Sequence, residues 1–229
     1  MQLEHAALAP ELRQAADTAW RNILERCEPS LLSAFEAAFS NREHSAQLAQ
    51  VLACSPFVAE QVRRRPRLLL DLVEDGLLQR ALRPGEIADE LASALADADA
   101  DLALVLRRLR QRHMLRIIWR DFCKLATTLD TTGDVSELAE CCIAAAQAHS
   151  QAQLEARHGV PRGRESGKPQ QLIVIAMGKL GARELNLSSD VDLIFAYPEA
   201  GQTDGEDKPL SNEEFSPGWV GPSSPPWIP

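Results

Sequence analysis

The chain has 229 residues, 45% of them hydrophobic, so a core can be filled, and it carries 24 Lys and Arg against 33 Asp and Glu for a net charge of −9. That balance disfavours non-specific attraction to nucleic acid or to an anionic membrane surface, and it points instead to a protein or small-molecule partner. The first ten residues hold acidic Glu4 and no long apolar run, no stretch approaches the roughly 20 apolar residues of a membrane helix, and Cys27, Cys54, Cys123, Cys141 and Cys142 form no CxxC pair, so a cytoplasmic protein with reduced thiols is expected.

From residue 10 to about 158 the apolar residues recur at helical spacing. Leu12, Ala16, Ala19, Trp20 and Ile23 make one stripe, and Leu31, Leu32, Phe35, Ala38 and Phe39 make the next. Helix stops are expected at Pro29, at Ser55 and Pro56, at Pro66, at Gly76, and at Pro84 with Gly85. The spacing of Leu102, Val105, Leu106, Leu109, His113, Ile117 and Phe122 predicts a single helix over 99–129. Arg107, Arg108, Arg110, Arg112, Arg116 and Arg120 occupy much of its remaining surface, and a solvated or salt-bridged face is favoured over ligand contact. A turn is expected at 127–134, then an Ala-rich helix to about Arg157. His149 and His158, near its end, have no ligand-spaced partner, so no metal site is expected there.

Residues 161–169, rich in Gly, Pro and charge, read as a linker between a helical region, 1–160, and a strand-bearing segment, 161–215. The β-branched run 172–177 predicts a strand, and 191–197 predicts a second.

Between them lies Gly178-Lys179-Leu180-Gly181-Ala182-Arg183-Glu184-Leu185-Asn186-Leu187-Ser188-Ser189-Asp190-Val191-Asp192. A glycine directly after a buried strand lets backbone N–H groups approach an anion, and Lys179 beside it supplies charge, which is phosphate-binding chemistry. The spacing is neither GxGxxG nor GxxxxGK[ST]. Asp190 and Asp192, two apart at the head of a strand, fall on one face. Two carboxylates so placed repel unless a cation lies between them, and Mg²⁺ meets that need while keeping positions open for water and phosphates. Metal-assisted phosphoryl or nucleotidyl transfer is the chemistry indicated. A DxD alone would more often be a solvated turn; the surrounding strand, Gly-Lys, Ser-Ser-Asp-x-Asp, strand order reverses that weighting.

That order resembles the nucleotidyltransferase superfamily of DNA polymerase β, and more closely the glutamine synthetase adenylyltransferase/adenylyl-removing enzyme family. The resemblance rests on Ala176-Met177-Gly178-Lys179-Leu180-Gly181, on Glu184-Leu185-Asn186, and on Ser188-Ser189-Asp190-Val191-Asp192-Leu193-Ile194-Phe195. Upstream, Leu106-Arg107-Arg108-Leu109-Arg110 and Met114-Leu115-Arg116-Ile117-Ile118-Trp119-Arg120-Asp121 are similar to the N-terminal catalytic half, so the likeness covers roughly 20 to 215. It implies an α+β chain, a helical N-terminal region followed by a truncated polymerase β-like sheet. Asp190 and Asp192 would hold metal as catalytic residues, with Gly178, Lys179, Ser188 and Ser189 facing the phosphates of ATP or ADP. Lys179 stands where many superfamily members carry Ser. In the family the N-terminal half removes AMP from an adenylylated tyrosine of glutamine synthetase by phosphate attack that releases ADP, with PII signalling protein and glutamine as effectors of the full-length enzyme.

The family's third carboxylate, on a later strand in an Asp-Met-Arg-Leu-Arg context, has no counterpart here, and Asp204, Glu206 and Asp207 are expected to stay solvated in a polar loop. Residues 216–229 hold five Pro and two Trp, which suits neither helix nor strand. Codons exist for this tail such that one T restored after the Phe215 codon yields Phe-Thr-Arg-Leu-Gly-Arg-Ala-Leu-Ile-Thr-Ala-Leu-Asp, an amphipathic helix like the family's. The expectation is a frame ended early by a one-base deletion, leaving an impaired fragment whose exposed sheet edge lowers stability or promotes association. The alternative is a non-catalytic module that binds a nucleotide or glutamine synthetase. A nucleotidyltransferase acting on an antibiotic or RNA is disfavoured by the acidic charge and by the arginine-rich helix match.

Overall fold

The computed structural model describes residues 2–5, 8–97, 99–205 and 209–215, so the tail at 216–229 and the carboxylates Glu206 and Asp207 lie outside the described residues. The helices follow in order as α1 (Pro10–Leu24), α2 (Pro29–Ala38), α3 (Arg42–Cys54), α4 (Pro56–Arg64), α5 (Pro66–Glu74), α6 (Glu86–Ala94), α7 (Leu102–Phe122) and α8 (Thr128–His158). α1, α3 and α4 end ahead of Pro29, Pro56 and Pro66 as expected, and the same prolines open α2, α4 and α5, because an opening residue has no intrahelical partner for the N–H that proline lacks. Ser55 ends α3 and also caps α4, its hydroxyl accepting the Val58 N–H at 3.2 Å. Gly76, at φ +67°, ends α5, with Leu77 N–H returning to the Leu72 carbonyl.

The described residues of Met1–Asp89 and Arg107–Val135 form one unit, and those of Glu90–Leu106 and Ser136–Pro229 a second. In the first, the predicted stripes bury Ala16, Trp20 and Ile23 from α1 and Phe35 from α2. Trp20 meets Phe35 edge-on at 5.4 Å, Phe35 stacks on Phe39 at 6.2 Å, and Phe39 lies 6.0 Å from Trp119. These offset and edge arrangements are the ones the ring quadrupole favours.

The helix expected over 99–129 forms as α7 but is shorter, 102–122. α7 stops at Phe122 because Lys124 takes φ +59° and the Leu125 N–H turns back to the Arg120 carbonyl at 2.8 Å, the closure that Gly76 makes after α5. α8 then starts where a turn was expected. The Thr127 hydroxyl accepts the Asp130 N–H at 3.2 Å while the Asp130 carboxylate accepts the Thr127 N–H at 2.8 Å, a reciprocal cap that holds the Asp130 carboxyl below its ordinary value. Gly133 inside α8 costs about 1 kcal/mol relative to Ala, less than the cap and the burial of Thr131, Val135 and Leu138 return.

The arginines of α7 include the solvated and salt-bridged positions expected, and two of them, Arg116 and Arg120, are also buried. Residues 113–120 are buried without a break. Arg116 has no exposed surface; it donates to Asp134 at 2.6 Å and to the Arg80 carbonyl at 3.2 Å. Arg120 donates to the Leu125 carbonyl at 2.7 Å, and burial followed by the neighbouring Arg116 charge lowers its pKa. Arg112 pairs with Asp75. Of the six, Arg107 and Arg108 stay exposed.

In the second unit, β1 (Pro161–Gly163) pairs antiparallel with β4 (Gly201–Thr203), and β2 (Ile173–Ala176) pairs antiparallel with β3 (Leu193–Ala196). Two short helices, α9 (Gly178–Gly181) and α10 (Asn212–Phe215), complete the elements. Residues 161–169, read as a linker, carry β1 and a turn whose Ser166 N–H and hydroxyl donate to Glu199 at 3.0 and 2.6 Å. Those bonds, the hydroxyl first, hold the Glu199 carboxyl below its usual range. The β2–β3 ribbon leaves Ile173, Ile175, Ile194 and Phe195 exposed. All five cysteines are free, and burial pushes the Cys123 thiol up to about 12. No described helix is long and apolar enough to cross a membrane.

Replacing Asp134 with Ala strands the fully buried Arg116 cation and should lower the urea-unfolding free energy by about 3 kcal/mol. Glu86, hydrogen-bonded by Arg80 and by the Arg83 N–H, is held at about 2 against an ordinary 4.5. The folded value is the lower one, so its contribution to stability is complete above pH 4.5 and is lost as pH falls toward 2. Glu86→Gln should flatten the pH dependence of Tm within that window.

Candidate functional site

β2 runs into Met177, whose N–H donates to the Asp192 carbonyl at 2.9 Å and so carries the pairing one residue past the strand. The next residue, Gly178, takes φ +54°, and a Cβ there would lie 3.6 Å from Asp192 Oδ2. The ladder thus brings Gly178 against the Asp192 carboxylate across fourteen positions of sequence. Asp192 is the residue immediately before β3, and Asp190 lies on the segment leading into it. Both are exposed, and among the described residues neither carboxylate makes a hydrogen bond or ion pair.

Lys179 is held from the other side. Its ammonium donates to Ser189 Oγ at 3.1 Å, and the buried Ser189 hydroxyl donates onward to Asn186 Oδ1 at 2.7 Å. The same Asn186 oxygen accepts the Ser188 N–H at 3.1 Å, an Asx turn that draws Ser188 into the loop and leaves its side chain exposed. The structure therefore joins Lys179 to Ser189 and Gly178 to Asp192. Asn186, which sequence reasoning left as part of a motif, is the hinge of the first connection; Asn two and three residues ahead of Ser188 and Ser189 was the available signal.

The loop closes in very little space. A Cβ on Gly181 would sit 2.5 Å from the Ala176 carbonyl oxygen, closer than real Cβ atoms come. Arg183 at φ +57° completes the reversal, its N–H bonding the Leu180 carbonyl at 2.9 Å and the Glu184 N–H the Lys179 carbonyl at 2.7 Å. Leu180 and Leu185, both buried, pin the two sides of this turn.

Asp190 and Asp192 suit a cation that takes one or two carboxylates and fills its other positions with water and phosphate oxygens. Among the described residues no group of three His, Cys, Asp or Glu side chains could hold a metal ion. Asp204 stays exposed as expected and also accepts the Val160 N–H and Arg162 Nε, each at 2.7 Å; these bonds, Arg162 first, lower its pKa.

The family model described as glutamate-ammonia ligase adenylyltransferase matches residues 45–217. The chain is similar to proteins named bifunctional glutamine synthetase adenylyltransferase/adenylyl-removing enzyme. That of Thioalkalivibrio sulfidiphilus is 52% identical over 170 residues, 73% of this chain and 17% of the relative. Those of Pseudomonas syringae pv. tomato and Pseudomonas aeruginosa are 42% and 44% identical over 212 residues, 92% of this chain and 21% of each relative. The chain spans about a fifth of the length of these curated relatives.

The geometry separates two glycines. Gly181→Ala forces a backbone shift and should cost about 2 kcal/mol in chemical denaturation, whereas Gly178→Ala meets only Asp192 Oδ2, at 3.6 Å, and should cost about 1 kcal/mol for its positive φ alone.

Proposed function

The chain belongs to the glutamate-ammonia ligase adenylyltransferase family, and from that membership we propose that it carries part of a Mg²⁺-dependent site that removes AMP from an adenylylated tyrosine of glutamine synthetase. The observation that carries this reading is the juxtaposition of Gly178 with the Asp192 carboxylate, beside a lysine tethered through Ser189 to Asn186.

Asp190 and Asp192 would hold Mg²⁺, which when bound supplies positive charge to phosphate oxygens. Gly178, lacking a side chain, leaves the approach beside Asp192 open to a phosphate group. Lys179 brings a fixed positive charge to the same loop, kept from sweeping away by its bond to Ser189. Ser188 and Ser189 present hydroxyls to the phosphates, and Ser189 exchanges its contact with Asn186 for one to the nucleotide. An oxygen of inorganic phosphate attacks the phosphorus of the bound AMP group; the bond from that phosphorus to the tyrosine oxygen breaks, the tyrosine oxygen takes a proton, and ADP leaves. The nucleotides handled are ADP and ATP, the protein partner is glutamine synthetase, and the setting is the cytoplasm. PII signalling protein is the proposed partner of a full-length enzyme.

Among the described residues the site holds two free carboxylates, and no group of three His, Cys, Asp or Glu side chains could hold a metal ion. That same observation favours, as a second reading, a module that binds nucleotide or glutamine synthetase without turning over.

Adenylylated glutamine synthetase, phosphate and Mg²⁺ provide the test, with ADP release as the readout. Release by the native sequence should fall by about a hundredfold or more in Asp190→Asn and in Asp192→Asn, roughly 3 kcal/mol of transition-state stabilisation. Release that persists in both variants would refute the assignment, and binding of Mg-ADP without any release would select the module.

A further inference from the structure

Every group assigned above lies within 178–192, but the groups that hold this segment belong to α8. Ser136 Oγ accepts the Leu185 N–H at 3.3 Å, Glu140 forms an ion pair with Arg183 at 3.6 Å, and Gln147 Nε2 donates to the Leu172 carbonyl at 2.6 Å. All six residues belong to the second unit. Positions 136, 140 and 147 are four and eleven apart, and eleven residues are close to three helical turns, so the three side chains leave α8 on one face.

Their targets bracket the site. Leu172 is the residue before β2, Arg183 closes the turn after α9, and Leu185 follows it by two. Ser136 is fully buried, and its hydroxyl accepts from the loop backbone. Arg183 occupies a left-handed backbone position that glycine fills at no steric cost, and its side chain reaches Glu140.

We propose that Ser136, Glu140 and Gln147 are positioning residues for the nucleotide loop, fixing both ends of the segment that carries Gly178 and Lys179 so that phosphate binding requires no reordering of the chain. The proposal rests on the nucleotide reading given above. Ser136 and Gln147 dominate, being a buried bond and a short one; the Glu140–Arg183 pair is about half exposed and contributes least.

Two measurements on the full 229-residue chain test it: Mg-ADP affinity by calorimetry and amide hydrogen exchange. Ser136→Ala and Gln147→Leu should each speed exchange of the amides in 178–189 and weaken Mg-ADP binding about tenfold, while α3 amides keep their protection. Ser136→Thr keeps the hydroxyl and adds a methyl group at a position with no exposed surface; it should lower Tm yet hold affinity within about threefold of the native chain, which a purely structural serine would not do. Glu140→Arg combined with Arg183→Glu should recover whatever either change alone loses. Loop exchange unchanged in Ser136→Ala and Gln147→Leu would overturn the proposal, as would affinity that follows Tm across all variants. If the native chain binds no Mg-ADP, the nucleotide reading fails, and loop exchange alone decides whether α8 fixes the segment.

Discussion

At Gly181 the chain passes so near the Ala176 carbonyl that a methyl group would stand 2.5 Å from its oxygen. This close approach lets the polypeptide leave β2, make the single turn of α9 and reverse within a few residues. The reversal delivers Leu185 to its buried position and returns the chain to pair β3 against β2. Only then does Asp192 arrive beside Gly178 and Ser189 within reach of Lys179. The candidate site is thus a product of backbone closure, and its chemistry-bearing side chains are passengers on that closure.

The same closing device appears three times with three residue types at the left-handed position: Gly76 after α5, Lys124 after α7 and Arg183 after α9. Glycine takes this conformation without penalty, and the other two carry a strain of roughly 1 kcal/mol. In the first unit, charge has a parallel structural use. Arg116 and Arg120 sit inside α7's surroundings, their donors spent on Asp134 and on the carbonyls of Arg80 and Leu125. Of the arginine-rich motifs that carry part of the family resemblance, the segment 114–120 is therefore interior packing, while Arg107 and Arg108 stay exposed.

Much of this was legible in the sequence because periodicity and spacing are local signals. The stripes of α1 and α2, the strand pair around the loop, and the sequence neighbours Gly178-Lys179 and Asp190-Val191-Asp192 could be read directly. What escaped depended on partners far along the chain. Residues 161–169 look like a linker until Glu199 and Asp204 supply the hydrogen bonds that order them. The arginines of α7 read as a solvated or salt-bridged face, and the burial of Arg116 shows only once Asp134 and the Arg80 carbonyl are brought to it. The end of α7 was hidden by a lysine in a glycine's conformation, and the start of α8 by a Thr-x-x-Asp cap among residues that also favour turns. Asn186 was visible as a letter, but its oxygen is shared by Ser188 and Ser189 only in the folded loop.

The central claim is that Gly178, Lys179, Asp190 and Asp192 form one site for a divalent cation and a nucleotide phosphate. Paramagnetic broadening of amide resonances by Mn²⁺ in the presence of ADP addresses it most directly, since Mn²⁺ shares the oxygen preference of Mg²⁺ and marks its own position. The account predicts that the amides of Gly178, Lys179, Ser189 and 190–192 broaden first, at metal concentrations that leave the rest of the spectrum sharp. Broadening that begins at other acidic positions such as Glu11 and Asp17, or that spreads evenly over the chain, would contradict it.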